Sequence, residues 1–177
     1  MSIQGKRVAI LVERMYEDLE LWYPYYRLKE AGAVPVRVGP GTEKVFPSKY
    51  GYPAPVDRQV VEVAASDFDA VVIPGGFAPD FMRRTQAMID FVTEFARLGR
   101  PMAAICHGVW MLCSADALRG KRATCFYAIR HDVIHAGAAY VDEEVVVDGN
   151  IITARKPEDL PAFVKALLAA LGERHEK

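Results

Sequence analysis

The stretch AAICHGVW at positions 103–110 decides the fold, because it joins an apolar run to a cysteine, a histidine and a glycine. A strand that ends at Ile105 and a helix that begins near His107 place Cys106 on a sharp strand-to-helix turn. This is the geometry of a nucleophile elbow, with Ala104 where the elbow usually has its first glycine. In a parallel sheet such turns lie at the carboxyl ends of the strands, where ligands bind. The stretch therefore predicts an α/β fold with a functional site at Cys106.

The rest of the chain alternates short β-branched runs with longer amphipathic segments, which is typical of parallel strands connected by helices. The predicted strands are RVAILV (7–12), VPVRV (34–38), residues 71–73, MAAIC (102–106) and the weaker RATCF (122–126), and helices are predicted within 17–32, 86–98 and 157–171. EEVVVDGNIITAR (143–155) is predicted to be a hairpin with a two-residue Asp148-Gly149 turn. The predicted fold class is α/β, a three-layer sandwich with a mostly parallel central sheet plus a small hairpin.

Two segments of this pattern are open to more than one interpretation. Pro24 lies within the first predicted helix, and an interior proline costs a helix roughly 3 kcal/mol, so that helix either begins late or is kinked. Residues 39–55 form a long predicted loop rich in glycine, proline, lysine and tyrosine. Loops of this length usually bind ligands or make contacts.

Length and charge limit the possible functions. The 177 residues predict a single domain, 1–177, with a sizeable core. Because 22 basic side chains nearly balance 23 acidic ones, there is no electrostatic reason to expect a nucleic-acid or membrane-surface partner. The apolar run Val8–Val12 is too short for a signal peptide or a membrane span. These features predict a soluble, cytoplasmic protein and leave a small neutral or mixed-charge substrate open.

The three cysteines, Cys106, Cys113 and Cys125, form an odd set without a CxxC pair, so at least one thiol is free. One interpretation of Cys106 is a buried, inert residue, because cysteine is among the most buried residue types. The other is a reactive thiol, because a helix N-terminus with a polar partner lowers a thiol pKa from about 8.5 to about 3.5–7.5. We expect Cys113 and Cys125 to lie in the core.

Four segments resemble the ThiJ/PfpI superfamily, whose archaeal member is called intracellular protease I, in both order and spacing. They are YEDLELWYPYYRLKEAG (16–32), DAVVIPGGFAPD (69–80), AAICHG (103–108) and VVVDGNIITARKPEDLPAF (145–163). The resemblance covers nearly the whole chain and implies a flavodoxin-like, class I glutamine amidotransferase-like fold. This chain has Val109 and Trp110 where the family often has a proline after CHG. It also lacks the downstream His-x-Glu pair of true glutamine amidotransferases.

The resemblance implies a catalytic role for four residues. Cys106 matches the reactive cysteine, and His107 matches the histidine that completes a dyad in the peptidase-like branch. In that branch an acidic residue of an adjacent subunit orients the histidine, and the matching residue here is Asp80, where the archaeal protease has glutamate. Glu20 matches the buried glutamate that hydrogen-bonds the thiol, and it could donate when protonated or act as a base when ionised.

Gly75 and Gly76 match the loop whose backbone amides face a developing oxyanion, with the His107 amide as a second donor. Each of these residues also has an ordinary interpretation. Glu20 could be a solvated acid in the first turn of a helix, Asp80 a helix cap, and the glycine pair a simple turn.

Metal binding and self-association are the remaining expectations. His131 and His135 have the i, i+4 spacing of a helical metal pair, but no third ligand is recognisable nearby, so we expect no metal and no other cofactor. Many tyrosines lie near the predicted loops, which favours a contact surface. We expect a homo-oligomer, either a dimer or a hexamer.

Three functional hypotheses follow from the resemblance. The first is a stress-response cysteine hydrolase of the deglycase or glyoxalase type, in which Cys106 attacks a reactive carbonyl or its adduct while Glu20 and His107 move protons. The second is an intracellular cysteine peptidase, active as an oligomer with Asp80 supplied in trans. The third is a non-enzymatic redox sensor or chaperone that works through oxidation of Cys106.

Overall fold

A seven-stranded, mostly parallel sheet forms the centre of the molecule. The computed structural model describes residues 3–172. The strand order is β10-β11-β7-β6-β1-β2-β5, and every neighbouring pair is parallel except β10 and β11. The strands of this sheet are β1 (Arg7–Leu11), β2 (Val34–Gly39), β5 (Arg58–Gln59), β6 (Ala70–Ile73), β7 (Met102–Ile105), β10 (Val145–Asp148) and β11 (Ile151–Ala154).

Helices cover both faces of the sheet. They are α1 (Asp18–Glu30), α2 (Ala78–Met82), α3 (Gln86–Leu98), α4 (Val109–Ser114), α5 (Arg130–His135) and α6 (Leu160–Gly172). Helix α1 packs against α6, and α3 packs against α4. The connection from β1 to β2 and the connection from β6 to β7 run in opposite directions along the sheet, so right-handed crossovers place α1 and α3 on opposite faces. This confirms the predicted α/β fold class.

The chain reverses its direction across the sheet between β1 and β6. From β1 it proceeds to β2 and β5 on one side, and it then returns to β6 and β7 on the other. In open α/β sheets the crevice at such a switch point, at the carboxyl ends of the strands, is where ligands bind. All four residues of β6 and all four of β7 are buried, so these strands are a fixed support for the loops that follow them.

Helix α1 settles the alternatives for Pro24. The helix begins at Asp18 and continues through Pro24 to Glu30, so the late start is wrong. The side chain of Glu17 caps the first turn by accepting a hydrogen bond from the Glu20 amide at 3.1 Å. Because proline has no N–H, the carbonyl of Glu20 lacks its usual donor within the helix.

The structure corrects three details of the predicted elements. Segment 39–55 is not simply a loop, because it contains an antiparallel hairpin of β3 (Val45–Pro47) and β4 (Pro53–Pro55). Asp148 pairs with Ile151, so the turn residues of the second hairpin are Gly149 and Asn150 rather than Asp148 and Gly149. RATCF contributes only β8 (Arg122–Ala123), which pairs with β9 (Ala139–Tyr140) in a separate small sheet.

Within residues 3–172, no helix combines the length and the hydrophobicity that crossing a bilayer requires.

Candidate active site

Cys106 lies on the elbow that the sequence predicts. Strand β7 ends at Ile105, a 3-10 turn covers Cys106–Gly108, and α4 follows from Val109. Cys106 has a φ of 59°, in the left-handed region that an L-residue occupies at a cost of about 1–2 kcal/mol. A Cβ at Gly108 would collide with the carbonyl oxygen of Ile73, so only glycine lets the turn pack this closely on β6.

Glu20 lies fully buried in the first turn of α1, so its interpretation as a solvated acid is wrong. Its Oε2 accepts a hydrogen bond from the Gly75 amide at 2.7 Å. Its Oε1 has no hydrogen bond of good geometry within residues 3–172. The neighbouring Cys106 thiol interacts with the carboxyl group and lowers its pKa. Burial raises the pKa of Glu20 to about 8, so the side chain is mostly protonated at pH 7.

The thiol environment differs from the one that the helix N-terminus alone predicts. Cys106 is 6% exposed, and burial raises the pKa of its thiol above the usual value. An ionised Glu20 raises that pKa further, while the amides of His107 and Gly76 lower it. The expected low pKa is therefore wrong in direction, because desolvation of the sulfur outweighs the N-terminus of a helix of only six residues.

The imidazole of His107 is a second titratable group beside the thiol. Its Nδ1 lies 3.2 Å from Cys106 Sγ. Burial, followed by the positive charge of Lys49, lowers the pKa of His107 below its usual value, so the imidazole is neutral at pH 7. A neutral imidazole whose Nδ1 carries no proton can accept the thiol proton as the sulfur attacks.

Each backbone amide of the predicted oxyanion site faces another group of the protein. The Gly75 amide donates to Glu20, which corrects its assignment as an oxyanion donor. The amides of Gly76 and His107 instead face the Cys106 sulfur. A Cβ at Gly75 would lie 2.6 Å from Glu20 Oε2 and 2.8 Å from Cys106 Cβ, so glycine is required there for the acid and the thiol to meet.

An open cleft of about 300 Å³ gives access to these groups. Its lining residues are Met15, Glu17, Glu20, Lys49, Gly76, Phe77, Cys106, His107, Phe126 and Pro157. Lys49 Nζ lies 3.6 Å from Glu17 Oε1. The Lys49 amide donates to the Tyr16 carbonyl at 3.0 Å, which fixes this part of segment 39–55 beside the cleft.

The other predicted residues lie apart from the cleft. Asp80 is on α2, where it forms an ion pair with Arg84, and it does not line the cleft. His131 and His135 are both exposed on α5. Within residues 3–172 no three His, Cys, Asp or Glu side chains are grouped as a metal site would need.

The two other cysteines differ in their burial. Cys125 is buried, as expected, and burial raises the pKa of its thiol to about 12. Cys113 is only partly buried, so the prediction that it lies in the core is confirmed only in part.

Sequence reasoning missed several side chains of the cleft, among them Glu17, Lys49 and Phe126. The sequence Tyr16-Glu17-Asp18 could have indicated Glu17, since an acidic residue just before a helix is a common cap. Lys49 lies in segment 39–55, which the sequence already indicates as a functional or contact-making region. No local pattern indicates Phe126, whose ring stacks on His107 from a segment distant in the chain.

Comparison with known proteins gives consistent results. Residues 6–170 match the model of the DJ-1/PfpI family. A protein of Pyrococcus abyssi named as a deglycase is 43% identical over 165 residues, which are 93% of this chain and 99% of that protein. YraA of Bacillus subtilis, named provisionally as a cysteine protease, is 42% identical over 167 residues, which are 94% of this chain and 99% of that protein.

A solved structure shows the same fold. It is a two-domain protein of Anabaena variabilis with DJ-1/ThiJ/PfpI-like and ferritin-like domains, and it is 47% identical to this chain with a TM-score of 0.92. The match covers 95% of this chain and 48% of that protein, so this chain spans about half of its length.

Proposed function

Because this chain belongs to the DJ-1/PfpI family, we propose that it is a cysteine-dependent hydrolase that acts on reactive carbonyl adducts or aldehydes. One observation carries the proposal: a thiol, a neutral imidazole and a buried carboxyl group meet at one open cleft. The Glu20 pKa of about 8 is close to the pH at which a cytoplasmic enzyme would work, which suits a group that must both give and accept a proton.

The proposed reaction on the adduct of an amine with methylglyoxal has three steps. The Cys106 sulfur bonds to the carbinol carbon as the C–N bond breaks, and His107 passes the thiol proton to the departing amine. Glu20 then moves the proton of that carbon to the neighbouring ketone carbon, which converts the hemithioacetal into a thioester. Water hydrolyses the thioester to lactate and restores the thiol. The sum is adduct plus water to amine plus lactic acid.

Lactate formation tests this proposal. The purified protein, incubated with a methylglyoxal adduct of N-acetylarginine and with no added cofactor, is expected to release lactate and free N-acetylarginine, measured by mass spectrometry. The Cys113→Ala variant is the matched control and should retain the wild-type rate, since Cys113 lies outside the cleft. Absence of lactate with the wild-type protein, on the adduct and on free methylglyoxal alike, would contradict the proposal.

A peptidase is the second candidate, favoured by the 3.2 Å contact between Cys106 and His107 and by the name of the relative YraA. This function needs an acid from another subunit, with Asp80 as the candidate. We expect Asp80→Ala to abolish peptide cleavage while the thermal unfolding temperature and the oligomer size stay unchanged, as measured by calorimetry and size-exclusion chromatography. Cleavage by a strictly monomeric protein would count against this arrangement. The redox-sensor hypothesis stays a prediction.

A further inference from the structure

The imidazole of His107 has an unusual support for a catalytic histidine. Such rings are commonly fixed by a hydrogen bond from the second nitrogen to a carboxylate or a carbonyl group. In the part of the chain that the structure describes, the only hydrogen-bond contact of this ring is the one between Nδ1 and Cys106 Sγ. Packing against neighbouring rings must therefore determine its orientation within the subunit.

Two aromatic rings contact His107. Phe126 stacks on the imidazole with the ring centroids 4.9 Å apart and the planes at 28°. Trp110 approaches at 5.1 Å and 67°, with the two rings edge to face. The Phe126 amide also donates to the Cys106 carbonyl at 3.4 Å, which ties its segment to the elbow. The imidazole thus has one ring along its face and another at its edge.

The indole of Trp110 is itself anchored. Its Nε1 donates to Asp132 Oδ2 at 2.8 Å, which links α4 to α5. The Arg83 guanidinium lies 5.5 Å from the centre of the indole, and Arg83 Nε donates to Ser114 Oγ at 3.0 Å. The contacts of the indole come from α5 and from Arg83, which directly follows α2, and they hold the indole beside His107.

We propose that Trp110 is a positioning residue that holds the His107 ring against Cys106, and that Asp132 acts on the histidine only through the indole. The inference rests on the Cys106–His107 pair of the proposed function. Neither residue touches the reacting atoms, so the effect is on the alignment of the base. A displacement of about 1 Å in a catalytic group can lower a rate about 100-fold.

Reactivity of Cys106 toward iodoacetamide tests this without any substrate, so a failure of the proposed function leaves the test intact. Peptide mass spectrometry distinguishes Cys106 from the other two cysteines. In Trp110→Phe, which keeps a ring but loses the N–H donor, we expect the rate at pH 7 to fall about 3- to 10-fold, and in Trp110→Ala to fall further. Asp132→Ala should behave like Trp110→Phe, while Asp132→Asn, which keeps an acceptor, should stay within about twofold of wild type.

Two further readouts separate positioning from a merely structural role. The Trp110→Phe/Asp132→Ala double variant should react no more slowly than the slower single variant, because both changes remove the same hydrogen bond between Trp110 and Asp132. In Trp110→Ala, water reaches the imidazole, so the acidic limb of the pH–rate profile should move toward the ordinary histidine pKa of about 6.5. Trp110→Ala retains the titratable groups of the cleft, Glu17, Glu20, Lys49 and Cys106, and the two charged neighbours of the indole, Arg83 and Asp132.

Trp22→Phe is the matched control, because Trp22 also donates its indole N–H, to Tyr16 Oη at 3.2 Å, but makes no contact with His107. It should keep the wild-type rate and pH profile. A lower unfolding temperature in the Trp110 variants with wild-type alkylation rates and pH profiles would overturn the proposal. A larger shift of the profile in Asp80→Ala than in Trp110→Ala would also overturn it, since an acid of another subunit would then orient the ring.

Discussion

Replacing Glu20 by glutamine is expected to lower lactate formation about 10²–10⁴-fold and to stabilise the fold at alkaline pH. The loss of activity follows because glutamine cannot move a proton, and general acid–base groups contribute rates of this size. Glutamine still offers an oxygen to the Gly75 amide, so the local fold should persist. Initial rates with the methylglyoxal adduct measure the first effect, and urea unfolding at several pH values measures the second.

The direction of the stability effect follows from the raised pKa. Glu20 has a pKa of about 8 in the folded protein and an ordinary value of 4.5. Between these values the folded state holds a proton that the unfolded state releases, so wild-type stability falls as pH rises from 4.5 through 8. Glutamine does not titrate. The free energy of unfolding of Glu20→Gln relative to wild type should therefore rise by on the order of 4 kcal/mol between pH 5 and pH 9.

Glu30→Gln is the control on the same helix, because Glu30 is an exposed carboxylate at the end of α1. Its stability should follow the wild-type pH dependence. Parallel stability curves for wild type and Glu20→Gln would contradict a buried, protonated carboxyl group. Near-normal lactate formation by Glu20→Gln would remove Glu20 from the proton transfers.

Replacing Cys106 is expected to abolish lactate formation, and the choice of replacement should reveal the strain at the elbow. Cys106→Ala and Cys106→Gly both remove the sulfur that bonds to the substrate, so neither should exceed the uncatalysed rate. The two variants should differ in stability, because a backbone φ of 59° is unfavourable for alanine and accessible to glycine. We expect Cys106→Gly to be more stable than Cys106→Ala by about 1 kcal/mol.

Chemical denaturation of the two variants measures this difference. A glycine variant less stable than the alanine variant would contradict a positive φ at the nucleophile. Lactate formed at the wild-type rate by either variant would remove Cys106 from the reaction. Cys125→Ala is a further comparison for activity, because that thiol is buried and does not line the cleft.

The elbow and its sheet could be predicted because their signals are local. Strand β7, the turn that contains Gly108 and helix α4 follow one another without a break between Met102 and Ser114, and backbone sterics restrict the turn wherever the chain goes next. The alternating pattern likewise determines the α/β class, because a parallel sheet needs a crossover after each strand. The hairpin within segment 39–55 could not be predicted, since its prolines and glycines indicate turns but not their pairing.

The burial of Glu20 could not be predicted from local sequence patterns. An acid in the first turn of a helix is ordinarily solvated, and only the family resemblance indicated otherwise. The structure buries it because the first turn of α1 lies against the loop after β6, where the Gly75 amide donates to the carboxyl group. The raised pKa of Glu20 results from that burial. Burial of the Cys106 sulfur itself raises the thiol pKa, which reverses the expectation for Cys106.

The sequence by itself determined the class of fold, through the alternation of strands and helices, and the place of Cys106 and His107 on the strand-to-helix turn, because these features depend on local patterns in the chain. Only the tertiary structure decided which groups the backbone amides face, which way the pKa values move, and that the rings of Trp110 and Phe126 contact the histidine. Those properties depend on desolvation and on side-chain contacts, and neither is determined until the sheet and its helices have packed.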